Sequence, residues 1–355
     1  MTRTPVLVNS DTIKLWSLIG GQHSRGGNQV PQPRGRSEAS DRPPVVGVEI
    51  GGRGLRVVLA RADARILDTE RAVDMGATAH VTIDTICTLI DQLLARHQLT
   101  ASNISGIGIA FGGPVDVHRG ITLRSHRVDG FEQFPLVGVM EERFGVPTVL
   151  ENDARAAAFG EYTHGAGRGA RDMVYLHLGN GVGGAVIIRG TLLHGAAMTA
   201  GEIGHMVVST NGPRCSCGKT GHLEAYASEP AIISRMMTQL ATAEPDARTR
   251  WLSSPGITLQ LIFARYDSDP IAQSIIDETI QVIGLAGANL VTALNPDAFV
   301  IGGYVALAGP RLIAGVRAKI RQYAVEPAAQ RVVVAPSHLG VDAGVIGAVV
   351  LAGRT

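Results

Sequence analysis

VVGVEIGGRGLRVVLA at 45–60 and MVYLHLGNGVGGAVII at 173–188 are two versions of one device, an apolar run, a glycine turn and a second apolar run. The runs are short and rich in Val, Ile and Leu, which favours strands, and the glycines let the backbone reverse between them. A further strand pattern follows each pair, at Ile66–Val73 and near Leu192, so each block predicts a three-stranded meander. The device recurs after about 130 residues. Internal duplication of this kind points to two similar lobes facing each other across a cleft. Helical periods come after the meanders. His80–His97 places Val81, Ile83, Ile86, Leu89, Ile90, Leu93 and Leu94 near a 3.6 spacing, and Ile271–Leu294 does the same over a longer span. A short Ala-rich helix is predicted from Asp153 to Tyr162 and a small-residue helix from Ala343 to Ala352. Strands alternating with helices give an α/β class.

The chain has 355 residues, 45% apolar and 18% charged, enough to bury a large core in two lobes. No apolar run reaches the roughly eighteen residues of a membrane helix, and no signal-peptide pattern opens the chain, so a soluble cytoplasmic protein is expected. Cys87, Cys215 and Cys217 are an odd number, with two of them too close for an ordinary disulfide, which suits a reducing compartment. Lys and Arg number 32 against 31 acidic residues, and a net charge of +1 predicts no nucleic-acid footprint over the chain as a whole.

AGEIGHMVVSTNGPRCSCGKTGHLE at 200–224 carries the first chemical signal. His205, Cys215, Cys217 and His222 are spaced to close around one Zn²⁺, which prefers four nitrogen and sulfur donors in a tetrahedron. A closed site of this kind fixes a loop and does no chemistry itself. The alternative is a pair of buried thiols beside surface histidines. The second signal is ENDARAAAFGE at 151–161, with Asn152 and Asp153 at a strand-to-helix junction. There an amide and a carboxylate can bind sugar hydroxyls, and the carboxylate can take a proton from one of them. Read alone, a helix cap is the commoner role for either residue. The glycine turns could bring backbone N–H groups to a phosphate, although glycine hairpins are common without a ligand.

Taken together, ENDARAAAFGE, LGNGVGGAVIIRGTLLHG, AGEIGHM, CSCGKTGHLEAYAS, LNPDAFVIGG and GVDAGVIGAVVLA closely resemble the motifs of the ROK family of repressors, open reading frames and sugar kinases. The resemblance covers about 45–355 and implies a two-lobed actin-like, ribonuclease H-like fold with a central cleft. It assigns 45–163 to the first α/β lobe, completed by a C-terminal helix at 342–355, and 164–341 to the second lobe with the zinc loop. It implies sugar contacts at Asn152, Asp153, Glu202, His205 and Glu224, with Asp153 as the catalytic base of a kinase. Gly51, Gly52 and Arg53, then Gly179, Asn180, Gly181 and Gly183, would face phosphate, and Gly302 and Gly303 would lie on the adenosine side. One nitrogen of His205 would ligate zinc while the other faces a sugar hydroxyl, and His222 stands where the family has a third cysteine. Sugar or amino sugar is the implied ligand, and a homodimer or tetramer the implied assembly.

The chain departs from the family in the first turn. Where its kinases carry Asp-x-Gly-Gly-Thr-Lys, this sequence has Glu49-Ile50-Gly51-Gly52-Arg53-Gly54, with Asn180 for a usual Thr in the second turn and Tyr304 for a small residue after Gly303. An intact sugar pocket with an eroded phosphate turn resembles the family's sugar-responsive transcriptional regulators, and that is the expected function. The alternative is an ATP-dependent, glucokinase-like sugar kinase with Mg²⁺, in which Arg53 supplies a phosphate-binding cation. Residues 1–44 read as an N-terminal extension in which VNSDTIKLWSLIGGQHSRG resembles the start of a helix-turn-helix, followed by a Gly, Pro and Arg-rich linker. A complete module needs about 60 to 70 residues, so the segment gives DNA binding only weak support.

Overall fold

The computed structural model describes residues 42–125, 127–252 and 256–354. The predicted helix-turn-helix remnant and linker lie, up to residue 41, outside the described residues. The first half of the chain runs β1 (Val45–Gly51), β2 (Gly54–Ala60), β3 (Ile66–Ala72), α1 (Ala79–Arg96), β4 (Gly106–Phe111), β5 (Val115–Asp116) and β6 (Ile121–Thr122). It continues with α2 (Leu136–Phe144), β7 (Thr148–Asn152) and α3 (Asp153–His164). The second half opens with β8 (Met173–Leu178), β9 (Val182–Ile188) and β10 (Thr191–Leu192). Helices α4 (Glu224–Ala227), α5 (Glu229–Ala241), α6 (Pro245–Leu252), α7 (Leu259–Ala264) and α8 (Pro270–Leu294) follow. The chain closes with β11 (Ala298–Gly302), α9 (Pro310–Tyr323), α10 (Ala328–Arg331), β12 (Val333–Pro336) and α11 (Ala343–Ala352).

The duplication seen in the sequence is a duplication of sheets. One is ordered β3-β2-β1-β4-β7 and the other β10-β9-β8-β11-β12, each an antiparallel meander extended by two parallel strands. The hairpin registers close at Gly51 opposite Gly54 and at Leu178 opposite Val182, so both glycine turns project from the same end of their sheets. This is the two-lobed actin-like fold.

Helices cover each sheet for reasons visible in their patterns. Ile83, Ile86, Ile90 and Leu93 of α1 are buried with Ile107 and Ile109 of β4, each contributing about 1.5–3 kcal/mol relative to exposure. Thr78 caps α1 through the Val81 N–H, and Asp269 caps α8 ahead of Pro270. Ile276, Ile283, Leu312, Val316 and Phe299 join α8 and α9 to the second sheet. Between the sheets lie two helices of small residues. Ala157 and Phe159 of α3 pack with Met173, Tyr175 and Ala185 of the second sheet, and Val345 and Val349 of α11 pack with Val45 and Val58 of the first. The two helices meet so closely that a Cβ on Gly347 would lie 1.7 Å from the Ala156 carbonyl, so only glycine is tolerated there. This packing carries α3, with Asp153 at its first turn, into the space between the sheets.

Candidate active site

The two glycine turns border a cleft of about 1560 Å³ whose wall includes Asn152, Asp153, Glu202, His205 and Glu224. Strand β7 runs directly into α3, and the junction is a helix cap that also leaves one carboxylate oxygen open. Asn152 Oδ1 accepts from the Ala154 and Arg155 N–H groups at 3.1 and 3.2 Å, a helix cap, while its Nδ2 donates to the Gly113 carbonyl at 3.1 Å and to Asp153 Oδ1 at 3.2 Å. Asp153 Oδ1 also accepts from the Ala154 N–H at 2.8 Å. The second oxygen, Oδ2, accepts no hydrogen bond among the described residues and flanks Gly112 on the cleft wall. A carboxylate with one oxygen anchored and one open is arranged to receive a proton from a hydroxyl placed in the cleft.

The loop carrying Glu202 and His205 is pressed against β9, where a Cβ on Gly204 would come 2.0 Å from the Val182 carbonyl. That contact brings the loop to the second glycine turn. Glu224, at the start of α4, accepts from the Val182 N–H at 3.0 Å through Oε2 and from the Ser216 hydroxyl at 2.6 Å through Oε1. One carboxylate thereby ties the turn to the cysteine loop. Donor atoms of His205, Cys215, Cys217 and His222 all lie within 4.8 Å of one another. Cys215 Sγ is 3.7 Å from His205 Nδ1 and Cys217 Sγ is 3.3 Å from His222 Nδ1. Zinc bonds of about 2.3 Å to sulfur and 2.0–2.1 Å to nitrogen in a tetrahedron need S···N separations of about 3.5 Å, so the set fits. Burial pushes the Cys215 thiol up, an environment that favours the neutral form unless a cation shares the site. With Nδ1 turned to the cysteines, His205 Nε2 points toward Glu202, 3.9 Å from Oε2, and the cleft.

The side of the cleft formed by the two glycine turns is less regular. Gly51, Gly52, Gly179, Asn180, Gly181, Gly183 and Gly303 line the cleft. Gly302, expected beside them, is buried behind the wall, where its α-carbon packs on the Tyr175 hydroxyl. Arg53 is partnered by an aromatic ring. Its guanidinium stacks over the Tyr304 ring at 4.6 Å, so two residues noted separately as departures form one contact across the cleft. Glu49 lies beside Asp153, and burial together with that neighbouring charge pushes its carboxyl up to about 7, against the opposing pull of Arg56 and Arg71. Sequence reasoning missed two side chains on this wall. His177, held below its ordinary pKa by burial, sits at the end of β8 with Nδ1 3.4 Å from the Tyr175 hydroxyl. Arg127 enters from the loop between β6 and α2 and donates to the Gly112 carbonyl at 2.9 Å. The pair of arginines in RSHR at 124–127 was the available signal, but nothing local placed them in the cleft.

Residues 45–355 match the ROK family. The chain belongs to that family. Among ROK relatives, a glucokinase of Halalkalibacterium halodurans is 35% identical over 307 residues, covering 85% of this chain and 92% of the relative. An N-acetylmannosamine kinase of Shigella flexneri is 34% identical over 311 residues, covering 87% and 98%. The crystal structure of a ROK glucokinase from Streptomyces griseus, in complex with glucose and AMPPNP, superposes with a TM-score of 0.74 at 32% identity, over 88% of this chain and all of that one. A ROK transcriptional regulator homologous to the E. coli MLC protein superposes with a TM-score of 0.79 at 23% identity, over 88% and 78%, a likeness of fold alone. No helix among the described residues is long and apolar enough to cross a membrane.

Proposed function

We propose that this ROK protein is an ATP-dependent sugar kinase acting on a hexose or N-acetylhexosamine. The observation that carries the reading is the open Oδ2 of Asp153, on the wall of a cleft that the two glycine turns, Glu202 and His205 also line. The hydroxyl to be phosphorylated gives its proton to Asp153, its oxygen bonds to the γ-phosphorus of ATP, and the bond to the bridging oxygen breaks as ADP leaves. Such a reaction needs mainly positioning and charge neutralisation. Asn152 holds Asp153 in place, and Glu202, His205 and Glu224 are the polar groups on the acceptor side. Zinc on His205, Cys215, Cys217 and His222 would fix the tautomer and angle of His205. Magnesium bound with ATP would neutralise phosphate charge beside Glu49.

The eroded first turn favours a sugar-responsive regulator, as the sequence suggested. Two findings weigh against giving it precedence. Identity to relatives named as kinases reaches 35%, against 23% for the regulator, and the catalytic carboxylate keeps its open oxygen. The test is ADP release from Mg·ATP against a panel of hexoses and N-acetylhexosamines, with Asp153→Asn as control. Sugar-dependent turnover lost in the control supports the kinase. Absence of turnover, with sugar still raising the melting temperature, returns the reading to a sensor.

A further inference from the structure

We infer that Arg127, a cation outside both glycine turns, binds the phosphoryl group of this chain's ligand beside Asp153, completing with Asn180 of the second turn an oxyanion site. The inference rests on the kinase reading only for the source of that group, ATP rather than a phosphorylated sugar.

The argument starts from what the first turn lacks. Gly54 has no side chain, and the Arg53 guanidinium is stacked over the Tyr304 ring. Arg127 is the cation that shares a contact point with Asp153. A Cβ on Gly112 would lie 3.0 Å from Arg127 Nη1 and 3.3 Å from Asp153 Oδ2, which puts the guanidinium and the open carboxylate oxygen on either side of one point. They are nevertheless not an ion pair, since no Arg127–carboxylate contact falls within 4.0 Å among the described residues. A Cβ on Gly52 would lie 3.3 Å from Arg127 Nη2 and 3.2 Å from Asn180 Nδ2. Two N–H donors, one from each lobe, thus converge over the bare α-carbon of the first turn. Arg127 Nη1 is spent on the Gly112 carbonyl, which fixes the plane of the fork, while Nη2 and Asn180 Nδ2 have no acceptor among the described residues.

Converging donors of this kind suit a tetrahedral oxyanion, because a guanidinium presents its N–H groups in a fixed plane and a charge-assisted hydrogen bond is about twice as strong as a neutral one. In the kinase reaction, the pair would bind oxygens of the group being transferred, while Asp153 takes the hydroxyl proton and ADP departs with the electron pair of the broken P–O bond. Because the donors come from opposite lobes, the bound oxyanion would also hold the cleft at one width.

The test uses the full chain as wild type, Arg127→Gln, Arg127→Lys and Asn180→Ala. Each is titrated with Mg·ATP, glucose 6-phosphate, N-acetylmannosamine 6-phosphate and the two parent sugars, and assayed for turnover where the wild type shows any. Arg127 is exposed to the cleft, so the variants should melt close to wild type. Arg127→Gln is expected to weaken the phosphoryl ligand about 10- to 100-fold, Arg127→Lys less, with parent-sugar affinity changed under about threefold. If Mg·ATP is the ligand that loses affinity, the source is the nucleotide. If a sugar phosphate binds better than its parent sugar and that advantage disappears in Arg127→Gln, the oxyanion site stands and the kinase reading falls. Unchanged affinity for every phosphoryl probe overturns the inference, as does equal loss for the free sugars, or a wild type that binds none of the phosphoryl probes.

Discussion

The two halves of the cleft are assembled from different kinds of sequence. On the proposed acceptor side, Asn152, Asp153, Glu202, His205 and Glu224 come from compact local motifs, and all but Glu202 are held by hydrogen bonds or by donors of the cysteine loop. On the proposed phosphate side, the groups come from scattered places, with Arg53 parked on Tyr304 and Arg127 arriving from a loop distant in sequence from both turns. The difference teaches which chemistry needs fixed neighbours. A sugar presents several hydroxyls in one stereochemical arrangement, so its partners must be positioned together. A phosphoryl group is nearly symmetric, and its charge can be met by a cation delivered from any loop that reaches it.

The strongest way to break this comparison is Asp153→Asn. Loss of the proton acceptor should lower sugar-dependent turnover about 10³-fold while sugar-induced thermal stabilisation persists. If stabilisation disappears along with turnover, Asp153 is a binding group first and the distinction between the halves blurs. Comparing kcat with the ligand-induced shift in melting temperature separates the two.

Glu49 offers the next largest effect, and it belongs to the phosphate side. Its carboxyl titrates near 4.5 in a solvated chain and is pushed up to about 7 by burial and Asp153. The folded protein therefore holds this proton more tightly than the unfolded one. Stability from this group is complete below about pH 4.5, declines as pH rises, and is gone above about 7. The loss over the whole range is on the order of 3 kcal/mol. Glu49→Gln should remove that decline, seen as a smaller fall in unfolding free energy between pH 5 and 8 than in wild type, about 2 kcal/mol by denaturant titration. Equal slopes would mean that Glu49 is solvated in the folded chain.

The same contrast explains what could be read from the sequence. The paired meanders were legible because strand, glycine turn and strand is a local pattern repeated twice, and Asn152 and Asp153 because a strand running into a helix is local too. Asn152 was also correctly suspected as a cap, and its amide nitrogen donates to Asp153 as well. Arg127 was illegible because its approach to Gly52 depends on how the β6–α2 loop folds back over β4, and no period in the sequence encodes that return. Gly302 was misplaced for the converse reason. A glycine pair at a strand end looks like a ligand turn, yet one member is there because the Tyr175 hydroxyl leaves no room for a Cβ.

On the acceptor side, replacing Cys215 and Cys217 together with serine asks whether metal disciplines the sugar face. About one equivalent of zinc in the purified protein should drop to none, and sugar affinity should fall roughly tenfold as His205 loses its fixed orientation. Phosphoryl affinity at Arg127 should change less than sugar affinity, because the loop reaches that site only indirectly, through Glu224 and the second turn. Metal analysis beside sugar titration decides it, and full zinc content in the double variant would reject this ligand set.

The smallest expected effect concerns the Arg53–Tyr304 contact, and it sharpens the comparison most finely. If Arg53 were a phosphate ligand, Arg53→Ala would cost nucleotide affinity whether or not Tyr304 were present. If its partner is the ring, the two substitutions should be coupled. A double-mutant cycle on Arg53→Ala and Tyr304→Ala, read as unfolding free energy without ligand, should give about 0.5–1 kcal/mol of interaction, as expected for an exposed cation–π pair. Nucleotide affinity should move only a few-fold in either single variant, and upward in Tyr304→Ala if the ring stands where a base would lie. Zero coupling with a large loss of affinity in Arg53→Ala alone would instead make Arg53 the cation of the phosphate side, and the chemistry of the two glycine turns would then resemble each other more closely than their sequences do.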